Sequence, residues 1–102
     1  MHGKFLFAVV AAAIIPSSAV AQSGDSAARN LASPCAICHG TEGRAVTKDV
    51  ASLAGMPRDH IAAQMQAFRN GKRPATVMHQ IAKGYSDAEI AQLAAYFAAQ
   101  KR

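Results

Sequence analysis

The stretch that decides the fold is Cys35-Ala36-Ile37-Cys38-His39. Two thiols three positions apart, followed directly by an imidazole, form the C-x-x-C-H signature of c-type haem attachment. One tight turn lets Cys35 and Cys38 reach the two vinyl groups of one porphyrin. The chain then brings His39 beneath the iron as its proximal ligand. The sequence therefore predicts one haem, bound covalently, with a small chain folded around it.

A C-x-x-C pair has other uses, namely a redox disulfide, a structural zinc site or a simple disulfide bridge. A thioredoxin-like disulfide lies in a βαβ pattern, and this sequence shows no such pattern. A structural zinc ion needs four ligands, and the sequence has no second C-x-x-C pair and no H-x-x-x-H pair. These alternatives are therefore less well supported than haem attachment.

Residues 1–21 have the pattern of a cleaved export signal. Lys4 supplies the positive end, residues 5–15 form an apolar run of eleven, and Ala19-Val20-Ala21 is a small-x-small cleavage site. The apolar run is shorter than the ~20 residues that span a bilayer, so a retained anchor is the weaker alternative. We expect residues 22–102 to be a periplasmic protein without stable membrane insertion. That compartment also suits the cysteines, because c-type haem is attached outside the cytoplasm.

The expected mature segment is too short for a second core, so it predicts a single domain with one haem. Without Lys4 it has ten basic and six acidic residues, a formal charge of +4. Such a charge suits an acidic partner surface, although ordinary solvated charge explains it more simply. Basic residues cluster locally at Arg69, Lys72 and Arg73. No nucleic-acid-binding motif accompanies them, so no nucleic-acid partner is expected.

The hydrophobic pattern predicts helices joined by loops, with no strand, and hence an all-α fold. Asp25 or Ser26 is expected to cap a first helix that ends near Ala32, ahead of Pro34. Residues 40–55 have poor periodicity and several glycines, which indicates a loop around one face of the haem.

Three further helices are expected downstream. One begins with Pro57 as its first residue and ends at Gly71. A short helical turn covers residues 76–83. The last helix begins with a capping box at Ser86 and Glu89, with Tyr85 and Ile90 as a hydrophobic staple. The apolar stripes of the two long helices are Ile61, Met65 and Phe68, and Ile90, Leu93, Ala94 and Phe97.

The iron has a second axial position, for which the mature chain offers three methionines and two histidines besides the motif histidine: Met56, Met65, Met78, His60 and His79. Met65 lies on an apolar stripe, where core packing is its better interpretation. Met56 is close in sequence to the proximal loop. Met78 follows the motif histidine by 39 residues, far enough for the chain to cross to the distal face. His79 is its rival. Adjacent side chains point in different directions, so only one of the two can face the iron, and we expect that residue to be Met78.

Met56 and His60 also form a soft-ligand pair at i and i+4 that could hold copper. Two ligands are too few for a metal site. A surface histidine is therefore the better interpretation of His60.

The sequence resembles the class I cytochromes c, in particular small bacterial periplasmic proteins of the c4 and c-553 kind. One part is closer still to the haem subunit of flavocytochrome c sulfide dehydrogenase. The residues that carry the first resemblance are 35–40 with Gly43, Leu53-Ala54-Gly55 and Tyr96-Phe97, and those that carry the second are 68–73 and 78–87.

The resemblance implies that Met78, as the methionine of a Met-x-x-Ile-Ala stretch, is the distal ligand. It also implies an electron-transfer subunit that accepts electrons from FAD in a separate flavoprotein subunit, as a heterodimer, where sulfide is oxidised. No set of residues resembles a catalytic acid, base or nucleophile, so no catalytic site is expected in this chain. A free periplasmic carrier serving other redox proteins is the alternative. A haem-based sensor needs an open sixth site, which Met78 disfavours.

The chain departs from the family pattern at two points. Ala51 stands where these proteins usually have a proline whose carbonyl orients the proximal histidine. Since every residue has a backbone carbonyl, Ala51 is expected to orient His39 and leave Nε2 for the iron, in a less rigid loop. The second departure is the single haem motif, where many relatives have two haems in fused domains.

Overall fold

The structure, a computed structural model, describes residue 1, residue 3 and residues 24–102. The expected export signal, residues 1–21, lies outside the described residues apart from the first and third, so it stays a prediction. Between residues 24 and 102 the chain forms helices and no strand, which confirms the all-α class. Within the same range, no helix has the length and apolar character needed to cross a membrane.

The described chain has five α-helices and two short 3-10 turns. Their order is α1 (Gly24–Ala32), a 3-10 turn (Ser33–Cys35), α2 (Ala36–His39), a second 3-10 turn (Thr41–Gly43), α3 (Arg58–Arg69), α4 (Met78–Ala82) and α5 (Asp87–Ala98). Helix α5 packs against both α1 and α3, and α4 packs against α3. Helices from the beginning, middle and end of the described chain thus share one core.

The chain stays helical from α1 into the C-x-x-C-H motif. Pro34 lacks an N–H and so cannot continue the α-helical hydrogen bonds of α1, which end at Ala32 as predicted. The dihedral angles of Ala32, Cys35 and Ala36 nevertheless remain right-handed helical. Pro34 therefore changes the helix type without turning the chain away, and the motif follows α1 directly.

Two predicted helix starts differ from the structure by one to three residues. Gly24 is already helical, so Asp25 and Ser26 lie in the first turn of α1 and do not precede it. Pro57 has a φ of −54° but an extended ψ of 133°, which makes it the residue before α3 and not its first residue. Its carbonyl accepts the first hydrogen bond of that helix, from the Ile61 N–H at 3.1 Å.

Helix α3 ends in the manner that the sequence predicts. Gly71 has a φ of +73°, in the left-handed region that favours glycine. Its N–H donates to the Phe68 carbonyl at 3.2 Å, and the Lys72 N–H donates to the Ala67 carbonyl at 2.9 Å. These two bonds form a Schellman motif, which satisfies carbonyls that the helix leaves free.

Helices α4 and α5 also agree with the prediction. The Ser86 hydroxyl accepts from the Glu89 N–H at 3.2 Å and donates to the Glu89 carboxylate, which confirms the capping interaction. Tyr85 packs against the core beside it. The short turn expected at residues 76–83 is present as α4, with narrower bounds.

The core is one cluster of apolar side chains from α1, α3, α4 and α5. Met65 is 8% exposed, which confirms core packing as its role. Burial of one aliphatic side chain contributes about 1.5–3 kcal/mol. The buried members of the cluster are Ala32, Ile61, Met65, Ala82, Ile90, Leu93, Ala94 and Phe97, and they include the predicted stripe of α5 in full.

The loop after the motif closes on a single backbone carbonyl. The carbonyl of Gly43 accepts hydrogen bonds from the N–H groups of Leu53 at 2.7 Å and Ala54 at 3.1 Å. It also accepts from the Ser52 hydroxyl at 3.1 Å, and that hydroxyl in turn accepts from the Ala45 N–H at 3.3 Å. The chain therefore leaves Gly43 and returns to the same point, which holds the intervening residues beside the motif.

Replacing Gly43 with Ala should destabilise the protein more than the matched replacement of Gly71. Both residues have left-handed backbone, so each alanine costs roughly 1–2 kcal/mol. A Cβ at Gly43 would also lie 2.7 Å from a Phe97 ring carbon and 3.0 Å from the Leu53 Cβ, whereas one at Gly71 meets nothing within 4 Å. Such overpacking adds about 1–3 kcal/mol. Urea unfolding of the two variants measures the difference, and equal losses would contradict this account of the loop.

Candidate functional site

The C-x-x-C-H motif occupies one helical turn at the edge of the core. Cys35 ends the first 3-10 turn and is half-buried against the core cluster, whereas Cys38 lies in α2 and is exposed. Residues three apart on a helix are neighbours on its surface, so both thiols face the same region. Ile37, between them, is 87% exposed and leaves that face unobstructed.

The surroundings of Cys35 favour an uncharged sulfur. Burial raises the pKa of the Cys35 thiol, and the nearby Tyr85 side chain acts in the opposite direction with a smaller effect. The Tyr85 hydroxyl donates its proton to the Leu31 carbonyl at 3.1 Å, so this proton is already used. A thioether is uncharged at every pH. The position of Cys35 therefore fits a sulfur that is bonded to a porphyrin.

His39 is held in the orientation that the sequence predicts. Its Nδ1 lies 2.6 Å from the carbonyl oxygen of Ala51. A carbonyl can only accept, so Nδ1 carries the ring proton and Nε2 has a free lone pair. Ala51 lies next to His39 because Leu53 and Ala54, just after it, bond back to the Gly43 carbonyl and close the loop. The expectation that Ala51 can do this without a proline is confirmed.

Met78 is the first residue of α4, within the short helical turn expected at residues 76–83. It is half-buried and packs against the same apolar cluster as Cys35. Ala82, one turn later, is fully buried, so the two residues mark the inner face of α4. The motif and Met78 thus lie on separate elements that share one core.

The other candidate ligands have different surroundings, except that Met56 packs against the same core cluster as Met78. Met65 is in the core, and Met56 packs against the core from the loop before α3. His60, in the first turn of α3, is exposed, as expected for a surface histidine. No group of three or more histidine, cysteine or acidic side chains is placed to hold a metal ion in the described residues.

His79 has a feature that the sequence does not reveal. Its Nδ1 is buried, and this atom has no hydrogen-bond partner in the part of the chain that the structure describes. A buried polar group without a partner costs about 1–3 kcal/mol, so such atoms usually have a bonding partner. The atom lies beside Met78, where a bound cofactor could supply the partner. Together with the orientation of His39 and the burial of Cys35, this shows that the residues present fit a haem.

Comparison with known proteins gives the family. Residues 22–97 match the family described as "Cytochrome C oxidase, cbb3-type, subunit III". Cytochrome c-554(548) of Halomonas halodenitrificans is 34% identical over 83 residues, which cover 78% of this chain and 100% of that protein. Cytochrome c4 of Pseudomonas aeruginosa is 36% identical over 80 residues, covering 78% of this chain and 40% of that protein. The cytochrome subunit of sulfide dehydrogenase of Chlorobaculum tepidum is 40% identical over 67 residues, covering 66% of this chain and 60% of that protein.

The helical fold, the motif geometry and these matches place the chain in the class I c-type cytochromes, and it belongs to that family. Membership implies covalent haem c and a role in electron transfer. The chain spans the whole of the Halomonas protein but only about half of the other two relatives.

Proposed function

We propose that the protein is the electron-transfer haem subunit of a flavocytochrome c sulfide dehydrogenase, which accepts electrons from FAD in a partner flavoprotein subunit. The observation that carries haem binding is the 2.6 Å contact of His39 Nδ1 with the Ala51 carbonyl, which leaves Nε2 for iron. The Chlorobaculum relative, named as the cytochrome subunit of sulfide dehydrogenase, supports the partner. Residues 1–21 direct export to the periplasm, and residues 22–102 form the domain with one haem.

In this proposal Cys35 and Cys38 would hold the porphyrin by thioether bonds, and His39 and Met78 would supply the protein ligands of the iron. The bound haem supplies an iron that alternates between Fe(III) and Fe(II). The thioether of Met78 keeps water and small ligands from the sixth position and favours a high reduction potential. A filled sixth position distinguishes an electron carrier from a haem-based sensor.

The charge around α4 supports docking onto an acidic partner. Residues 60–86 contain no aspartate or glutamate, and they include Arg69, Lys72, Arg73 and Lys83. Within the described chain, Arg69 pairs with the Asp87 carboxylate, whereas the other three form no salt bridge. Arg73 also donates to the Gln64 side chain and lies over the Phe68 ring, so Lys72 and Lys83 are the basic residues best placed to contact a partner.

The same region exposes apolar surface. Val77 is 49% exposed and Ile81 is 38% exposed, on either side of Met78 along the chain. An apolar centre with a charged rim is the usual composition of a protein interface. We therefore place the flavoprotein contact at α4, with Gln80 and Lys83 at or near it.

The native protein should elute in size-exclusion chromatography as a heterodimer with flavin absorbance, when it is released gently from periplasm. A stable interface buries over ~1,200 Å² in total, a large share of so small a surface. Lys83→Glu should weaken the association at physiological salt, whereas Lys48→Glu, in the loop after the motif, is the matched control. Elution of a lone ~10 kDa haem protein without flavin, under conditions where weak charge pairing is screened, would instead support a free electron carrier.

A further inference from the structure

The inner face of α4 contains a histidine as well as a methionine. Met78 and His79 are half-buried and Ala82 is fully buried, whereas Gln80 and Ile81 are exposed. His79 therefore lies at the edge of the inner face, and its buried Nδ1 has no hydrogen-bond partner among residues 24–102. Successive residues of a helix differ in direction by about 100°, so His79 points to one side of Met78.

The acidic side chains nearest in sequence cannot supply the missing partner. Asp59 forms a salt bridge with Arg58, and Asp87 forms one with Arg69. Glu89 accepts from the Ser86 hydroxyl. Residues 60–86 contain no carboxylate at all. If Nδ1 carries the ring proton, its acceptor comes from outside the described chain, because this buried atom has no hydrogen-bond partner within it.

Haem carries acceptors of the required kind. Its two propionates are carboxylates at one edge of an otherwise apolar ring, and a carboxylate is the strongest acceptor available to a ring N–H. Met78 is the proposed iron ligand and His79 follows it on α4, so His79 lies close to any group that Met78 binds.

We propose that His79 donates its Nδ1–H to a haem propionate and acts as a positioning residue for α4. This inference rests on the haem site proposed above. The bond joins the first turn of α4 to the cofactor, next to the residue that binds the iron. It also offsets negative charge close to the iron, so that its loss should stabilise Fe(III) and lower the reduction potential.

The test compares three variants of the haem-loaded protein. Asn places an amide nitrogen near the position of Nδ1, Gln places one near Nε2, and Leu has no donor. His79→Asn should keep the wild-type reduction potential, whereas His79→Gln and His79→Leu should both lower it. All three should keep the thioether–iron charge-transfer band. In protein labelled with ¹⁵N-histidine, the His79 Nδ1–H should exchange slowly with solvent.

Equal reduction potentials in all variants, or an equal fall in His79→Asn and His79→Leu, would overturn the hydrogen bond to the propionate. So would rapid exchange of the Nδ1 proton in the wild type. A wild-type protein without the thioether–iron band would count against Met78 as distal ligand, which is a separate failure of the haem site itself.

Discussion

The double variant Cys35→Ala/Cys38→Ala should release all of its haem into acid-acetone, whereas the wild-type protein should keep its haem with the polypeptide. The two thioether bonds are the proposed covalent link, so their removal leaves only axial ligation, which acid breaks. The mass of the intact wild-type protein should equal that of residues 22–102 plus one haem.

Met78→Ala is the control for this result, because it changes the distal side without touching the thioethers and should retain the haem in acid-acetone. Haem that washes out of the wild type, or a wild-type mass without the haem increment, would refute attachment at the motif. Loss of haem should also destabilise the double variant, since a domain of this size depends on such a large apolar group.

Met78→Ala should abolish the thioether–iron charge-transfer band, lower the reduction potential and let carbon monoxide or cyanide bind. The cause is an open sixth position on the iron, which the proposed Met78 thioether otherwise fills. Visible spectroscopy and a redox titration measure these changes.

Two methionines serve as controls for Met78. Met65→Ala should cost about 2–5 kcal/mol of stability, because Met65 is buried in the core, but should leave the band in place. Met56→Ala should also leave it in place. If Met56→Ala removes the band instead, the assignment of the distal ligand is wrong.

Features that depend on neighbours in sequence were predictable. The capping interaction of Ser86 with Glu89, the glycine that ends α3 and the buried stripe of α5 each follow from short patterns in the chain. The haem motif belongs to the same group, because its spacing alone defines the chemistry. The contact of His39 with Ala51 could be predicted from the family resemblance, because Ala51 stands where the family usually has the proline that supplies this carbonyl.

Features that depend on distant residues were not predictable. The three donors that meet the Gly43 carbonyl come from the far side of the loop, and Glu42 just before it has a left-handed φ of 55°. Nothing in the pattern around Pro57 distinguishes the residue before a helix from its first residue. The buried Nδ1 of His79 depends on how α4 packs, which the alternation of polar and apolar residues does not specify.

The packing of α1 against α5 has a consequence for the order of events during biogenesis. More than half of the chain lies between these two helices, so their contact closes a long loop and requires nearly the whole domain. If the chain is exported as proposed, it crosses the membrane from its N-terminus and cannot form this contact until α5 has followed. Until then Cys35, which lies just after α1, stays accessible to the machinery that attaches haem. Covalent modification is therefore expected to come first, and the closing of the domain by its last helix to come second.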